Sequence, residues 1–213
     1  MVTATNTAFA IDQSELAVSL HEKAVQAYQE GREAEAETWL RSALALFEAD
    51  DGVDSPDVAA VLNDLGEIAE DRCDYELAAE RFRRAAEIAE TLCDSDDEDL
   101  RQLCLRTWNS LAQVYRTQGR HSQAKQIYGR ALDFAERIYG VESIEVADAL
   151  NNLGMLGKFA GWFDEAEKSY RRSLAIVEKH FGVDSPRAAS LYHNFGGLAH
   201  ARGRFAEIGR AHV

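Results

Sequence analysis

The chain has 213 residues, enough for one large domain, two small ones or one array of stacked units. Its 37 acidic against 23 basic residues leave a net charge of −14, which argues against non-specific nucleic-acid binding and against an anionic membrane surface, since both need cations. With 46% apolar residues and 2 prolines, the composition is that of a folded, helix-leaning protein.

Taken in chain order, residues 1–13 (MVTATNTAFAIDQ) hold no basic residue and no apolar core of signal-peptide length. The segment is expected to be disordered. No later stretch approaches the roughly 18 apolar residues of a membrane span, and a cytoplasmic location is expected. Cys73, Cys93 and Cys104 are odd in number and lack C-x-x-C spacing, which favours reduced thiols over a disulfide framework or zinc site.

From residue 14 the chain repeats itself. GVDSP stands at Gly52–Pro56 and again at Gly182–Pro186, and a shift of 130 residues aligns the 32 residues before each copy without a gap. The interval resolves into steps of 42, 46 and 42, giving repeats at about 14–55, 56–98, 99–142 and 143–185 and a truncated fifth at 186–207. Gly31, Cys73, Gly119, Gly161 and Gly203 share one position; Ala36, Ala78, Ala124 and Ala166 share another. Leu40, Phe82, Tyr128 and Tyr170 follow, then Ala43, Ala85, Ala131 and Ser173. The four extra residues of the long step are expected in a loop around the acidic run DSDDED, where insertion costs little.

Each repeat reads as two helices. Leu62, Leu65, Ile68 and Ala69 mark one helical face, and Ala78, Phe82, Ala85, Ala86 and Ala89 mark the next. The shared glycine supplies the left-handed residue that ends the first helix, so Cys73 implies local strain or a different turn. Ser55 and Ser185 are suited to cap a following helix, with Pro56 and Pro186 at its first position. In the first repeat Lys23 replaces the apolar residue found at Leu65, Leu111, Leu153 and Phe195, as befits a terminal unit with one flank in water.

The pattern Ala-x3-aromatic-x2-Ala after a helix containing LNNLG resembles the tetratricopeptide repeat, and the 42-residue period resembles its longer, kinesin-light-chain variant. The resemblance covers about residues 14–207. It implies an all-α superhelical solenoid that binds a segment of a partner protein in a concave groove lined by the first helices. A regulatory or sensor domain of a larger signalling protein or enzyme is the alternative.

Catalysis finds no foothold: the six histidines form no zinc motif, and neither G-x-S-x-G nor a phosphate-cradling glycine loop occurs. No catalytic residue, metal or cofactor is expected. Cys93 and Cys104 flank the acidic run, but spacing alone does not place them together. If the first helices line a groove, one column there reads Asn63, Asn109, Asn151 and His193, and the next reads Asp64, Ser110, Asn152 and Asn194. Amides can pair with the main chain of an extended peptide, or with each other between adjacent helices. Arg106, Arg116 and Lys158 form a small cationic stretch suited to an acidic side chain, whereas Glu67, Glu70 and Asp71 lie one repeat earlier.

The fifth repeat proceeds normally to Glu207 and then reads IGRAHV, with Ile208 in the alanine column. The codons ATC GGA AGA GCA CAC GTC encode those six residues and match a common sequencing adapter. Residues 208–213 are therefore expected to be a non-native tail, with the gene continuing into a further helix. An unpaired last helix is expected to expose Phe195, Leu198 and Phe205 and to promote self-association.

Overall fold

The computed structural model describes residues 13–50 and 52–211, with side chains through residue 203. The segment expected to be disordered thus lies outside the described residues except for Gln13, and the tail at 208–213 lies outside the described side chains. Among the described residues the regular structure is helical: α1 (Gln13–Gln29), α2 (Glu33–Asp50), α3 (Pro56–Asp71), α4 (Tyr75–Leu92), α5 (Glu98–Thr117), α6 (His121–Tyr139), α7 (Ile144–Ala160), α8 (Phe163–Phe181) and α9 (Pro186–Ala211). Two compact units divide the chain, residues 1–104 and 105–213.

In the first unit α1 packs on α2, α2 on α3 and α3 on α4. Leu40, Phe47, Val58, Leu62 and Ile68 are almost wholly buried there, whereas Lys23 is exposed. In the second unit α6 packs on α7, α7 on α8 and α8 on α9 around Leu156, Tyr170, Ile176 and Val177. The alanine column is fully buried at Ala36, Ala78, Ala124 and Ala166. Ser173, the exception in its own column, is also buried, and its hydroxyl donates to the Ala147 carbonyl at 2.7 Å. That bond removes the cost of a polar group in an alanine site.

Helix ends follow the capping chemistry read from the sequence. Ser55 Oγ accepts from the Val58 amide at 3.3 Å and Ser185 Oγ from the Ala188 amide at 3.2 Å, satisfying donors that have no partner within the helix. At the first-helix turns Gly31, Gly119 and Gly161 have φ of 75°, 73° and 80°, and Cys73 adopts 60°. The repeat thus imposes its left-handed turn even on a residue with a Cβ. Cys73→Gly is expected to raise the unfolding free energy by about 0.5–1 kcal/mol, the relief of that conformation less the added freedom of the unfolded chain. Cys73 is exposed, so little packing is lost; an unchanged or lower urea midpoint would show that the turn carries no strain.

The four extra residues do not sit in the loop. The stretch between α4 and α5 is no longer than that between α2 and α3, and α5 instead has 20 residues where α3 has 16 and α7 has 17. Four residues are close to one 3.6-residue turn, so an added turn leaves the buried face of α5 in register. Asp97 marks its start, its carboxylate accepting from the Asp99 amide at 2.9 Å in the place of the capping serines.

A device that the sequence reading did not identify ties successive second helices together. Arg84 on α4 pairs with Glu48 on α2 at 2.6 Å and donates to the Val53 carbonyl at 3.3 Å. At the equivalent position Arg172 on α8 pairs with Glu136 on α6 at 2.6 Å and donates to the Val141 carbonyl at 3.1 Å. Both pairs are partly exposed, so each contributes a few tenths of a kcal/mol, up to about 1.

Candidate functional site

The first helices carry the two polar columns, and the structure joins them by one rule. The first-column residue of one helix bonds the second-column residue of the next first helix. In the second unit Asn152 Nδ2 donates to Asn109 Oδ1 at 3.0 Å, linking α7 to α5, and Asn194 Nδ2 donates to Asn151 Oδ1 at 3.0 Å, linking α9 to α7. In the first unit His21 and Asp64 make the corresponding contact at 2.6 Å. The amides are therefore rungs between helices, and all four are half-buried rather than sealed. Each rung uses one N–H and one lone pair. An amide has two of each to offer.

Asn63 does not belong to this surface. It is fully buried, and so it cannot meet a partner as the column pattern suggested. The buried face of α3 is broad, taking in Val61, Leu62 and Leu65 on either side of that position, and the side chain is enclosed with them. His193 and Arg106, by contrast, are exposed.

Arg116 and Lys158 converge on a residue that the sequence reading passed over. The Arg116 guanidinium lies 4.9 Å from the centroid of the Phe159 ring and the Lys158 ammonium 5.1 Å from it. Phe159 is 58% exposed, a large aromatic with two cations close to its ring. Its equivalents are Asp71 and Thr117, so no column marks it; an isolated aromatic on a polar face was the available signal. Tyr170 is fully buried, with its hydroxyl unpartnered, and burial pushes its pKa up to about 12 against the opposing pull of the Arg116 charge. Beside the Asn151–Asn194 rung lies a recess of about 120 Å³ bounded also by Asp148, Ser173 and Arg187. The first unit has a recess of about 230 Å³, on whose rim Arg41 and Arg72 are both paired to Glu37.

The apolar face expected on α9 is partly covered. Leu191 and Leu198 are buried as α9 packs on α7 and α8, and Phe195 lies 6.3 Å from the Tyr170 ring, centroid to centroid. Phe205 lies outside the described side chains. No helix among the described residues is long and apolar enough to cross a membrane.

The tetratricopeptide repeat family model matches residues 15–91 and 103–179. Among solved structures, a Podosopora anserina protein of kinesin-light-chain type with nearly identical TPR-like repeats is 19% identical, with a TM-score of 0.75 over 93% of this chain and 92% of that one. BtubC (BKLC) from P. vanneervenii is 26% identical, with a TM-score of 0.74 over 91% of this chain and 76% of that one. Aspartyl phosphate phosphatase F from Bacillus subtilis is 17% identical, with a TM-score of 0.72 over 95% of this chain and 51% of that one. No curated protein matches the chain in sequence. The fold is that of an all-α solenoid of kinesin-light-chain-type repeats, and the chain belongs to the tetratricopeptide repeat family, whose members in general mediate protein–protein interactions without catalysis.

Proposed function

We propose that the first-helix face of the second unit binds an extended segment of a partner protein, without reaction chemistry and without a cofactor. Asn109, Asn151, Asn152 and Asn194 meet the segment's main chain. Arg116 and Lys158, with Arg106 one turn before Asn109, attract an acidic side chain beside the Phe159 ring. The observation that carries this reading is the exposed Phe159 with two cations close to its ring, on the same helix as Asn151 and Asn152, whose amide rungs retain hydrogen-bonding capacity. On a chain of net charge −14, a cationic aromatic patch is selective for an acidic partner. Such a protein acts as a cytoplasmic scaffold.

An array of acidic peptides and their amide counterparts (Asp to Asn, Glu to Gln) tests the reading by fluorescence anisotropy. Arg116→Glu is expected to weaken acidic peptides about tenfold, more at low salt, and amide peptides little. Asn109→Ala with Asn152→Ala is expected to weaken both classes while helicity persists. Equal binding by wild type and all variants would remove the face from consideration.

A second reading is a regulatory domain within a longer signalling protein. It is favoured by the match over half of aspartyl phosphate phosphatase F. Self-association through α9, where Tyr192 is 49% exposed, is checked by sedimentation across a concentration series.

A further inference from the structure

Cys93 caps the end of α4 and Cys104 lies in the second turn of α5, with the acidic stretch 94–97 between the helices. Both side chains are buried, at 5% and 0% exposure. Each sulfur lies 3.0 Å from the same acceptor, the carbonyl oxygen of Ala89, so the chain brings both thiols onto one point. Packing does not call for sulfur there. Counted back from the first-helix turn, Val58, Val146 and Ala188 fill the place of Cys104, and all three are fully buried.

We infer that Cys93 and Cys104 are a redox modification site, closing reversibly into a disulfide that staples the end of α4 to the start of α5, with a peroxide as oxidant. The pair is polarised for this. The neighbouring Cys93 thiol holds the Cys104 thiol below its ordinary range, while the Cys104 thiol and burial push the Cys93 thiol up. Cys104 is then the thiolate that reacts. Its sulfur attacks one peroxide oxygen: an S–O bond forms, the O–O bond breaks, and hydroxide leaves to take up the proton Cys104 released. The Cys93 sulfur next attacks the Cys104 sulfur. An S–S bond forms, the S–O bond breaks, and the departing hydroxide carries off the Cys93 proton as water. The two sulfurs together lose two electrons, and the peroxide becomes two waters. Disulfides of this reversible kind are the usual sort in reducing compartments.

The test treats the folded wild-type chain, and Cys73→Ser to exclude links between molecules, with hydrogen peroxide. Thiol counting after denaturation should show both cysteines lost together, and peptide mapping should join the Cys93 and Cys104 peptides in one monomer. The thermal midpoint should rise by several degrees, because the cross-link restricts the unfolded chain, and dithiothreitol should reverse the rise. In Cys93→Ala, peroxide should leave a dimedone-reactive sulfenic acid on Cys104 and no rise in midpoint. Survival of both thiols after Cys73 has been oxidised in the wild type would overturn the proposal. So would a Cys93–Cys104 bond that forms only after unfolding or lowers the midpoint.

Discussion

Gly154→Val is expected to lower the unfolding free energy by about 3 kcal/mol, the upper end for overpacking a tight core. A Cβ at this position would lie 2.6 Å from Cδ1 and Cε1 of Tyr170, well inside van der Waals contact. The ring has little room to yield, since Tyr170 is fully buried and the Phe195 ring lies 6.3 Å away, centroid to centroid. Glycine inside a helix ordinarily costs about 1 kcal/mol relative to alanine, so its presence here implies a larger cost for any side chain. Gly66 repeats the arrangement, with a Cβ falling 2.6 Å from the Phe82 ring. Urea unfolding measures the effect. Adding Tyr170→Leu to Gly154→Val should recover part of the loss, because the two changes share one contact. An unchanged midpoint for Gly154→Val would mean that α7 and α8 are not this close.

The helix pairs were legible because their signals are local and repeated. Serine caps, prolines at first helical positions, the left-handed turn column and the small-residue columns each act within a few residues of themselves. Four aligned copies then averaged out single exceptions such as Cys73. The added turn of α5 was misplaced for a physical reason. An acidic polar run resembles a loop in composition, yet residues 98–101 contribute a whole turn that keeps Leu103, Leu105 and Trp108 on buried sides of the helix.

The candidate site was legible in part. Column membership identified Asn109, Asn151, Asn152 and Asn194 as a set, but the choice between bonding a neighbour and facing a ligand depends on the distance between helices, which no column encodes. Asn63 shares the column and is nonetheless enclosed, because burial depends on how broadly the surrounding helix face is covered. Arg116 and Lys158 were noticed as charges, while the ring that joins them lies outside every column. The Arg84–Glu48 and Arg172–Glu136 pairs do recur, 88 residues apart, so a search for repeated opposite charges on second helices would have found them.

Ala166→Leu is the companion test of the helix pair, and a loss of about 2–3 kcal/mol is expected. Ala166 is fully buried, and its Cβ lies 3.0 Å from where a Cβ on Gly157 would stand, so α8 meets α7 almost backbone to backbone. Three added carbons have no free volume to enter. The Trp162 carbonyl, also within 3.1 Å of that point, belongs to the turn that starts α8 and cannot retreat without breaking its bond to the Ala166 amide at 3.0 Å. The helices must separate, and that separation would expose Tyr170 and loosen the Ser173 bond to Ala147. Ala124→Leu, at the same position on α6, should cost about 1–3 kcal/mol because Ala124 is equally buried. Near-ultraviolet circular dichroism of Ala166→Leu should show Tyr170 losing its fixed environment before far-ultraviolet helicity falls. If the midpoint and both spectra match wild type, the small-residue column does not set the spacing of the pair, and the repeat register drawn from it is wrong.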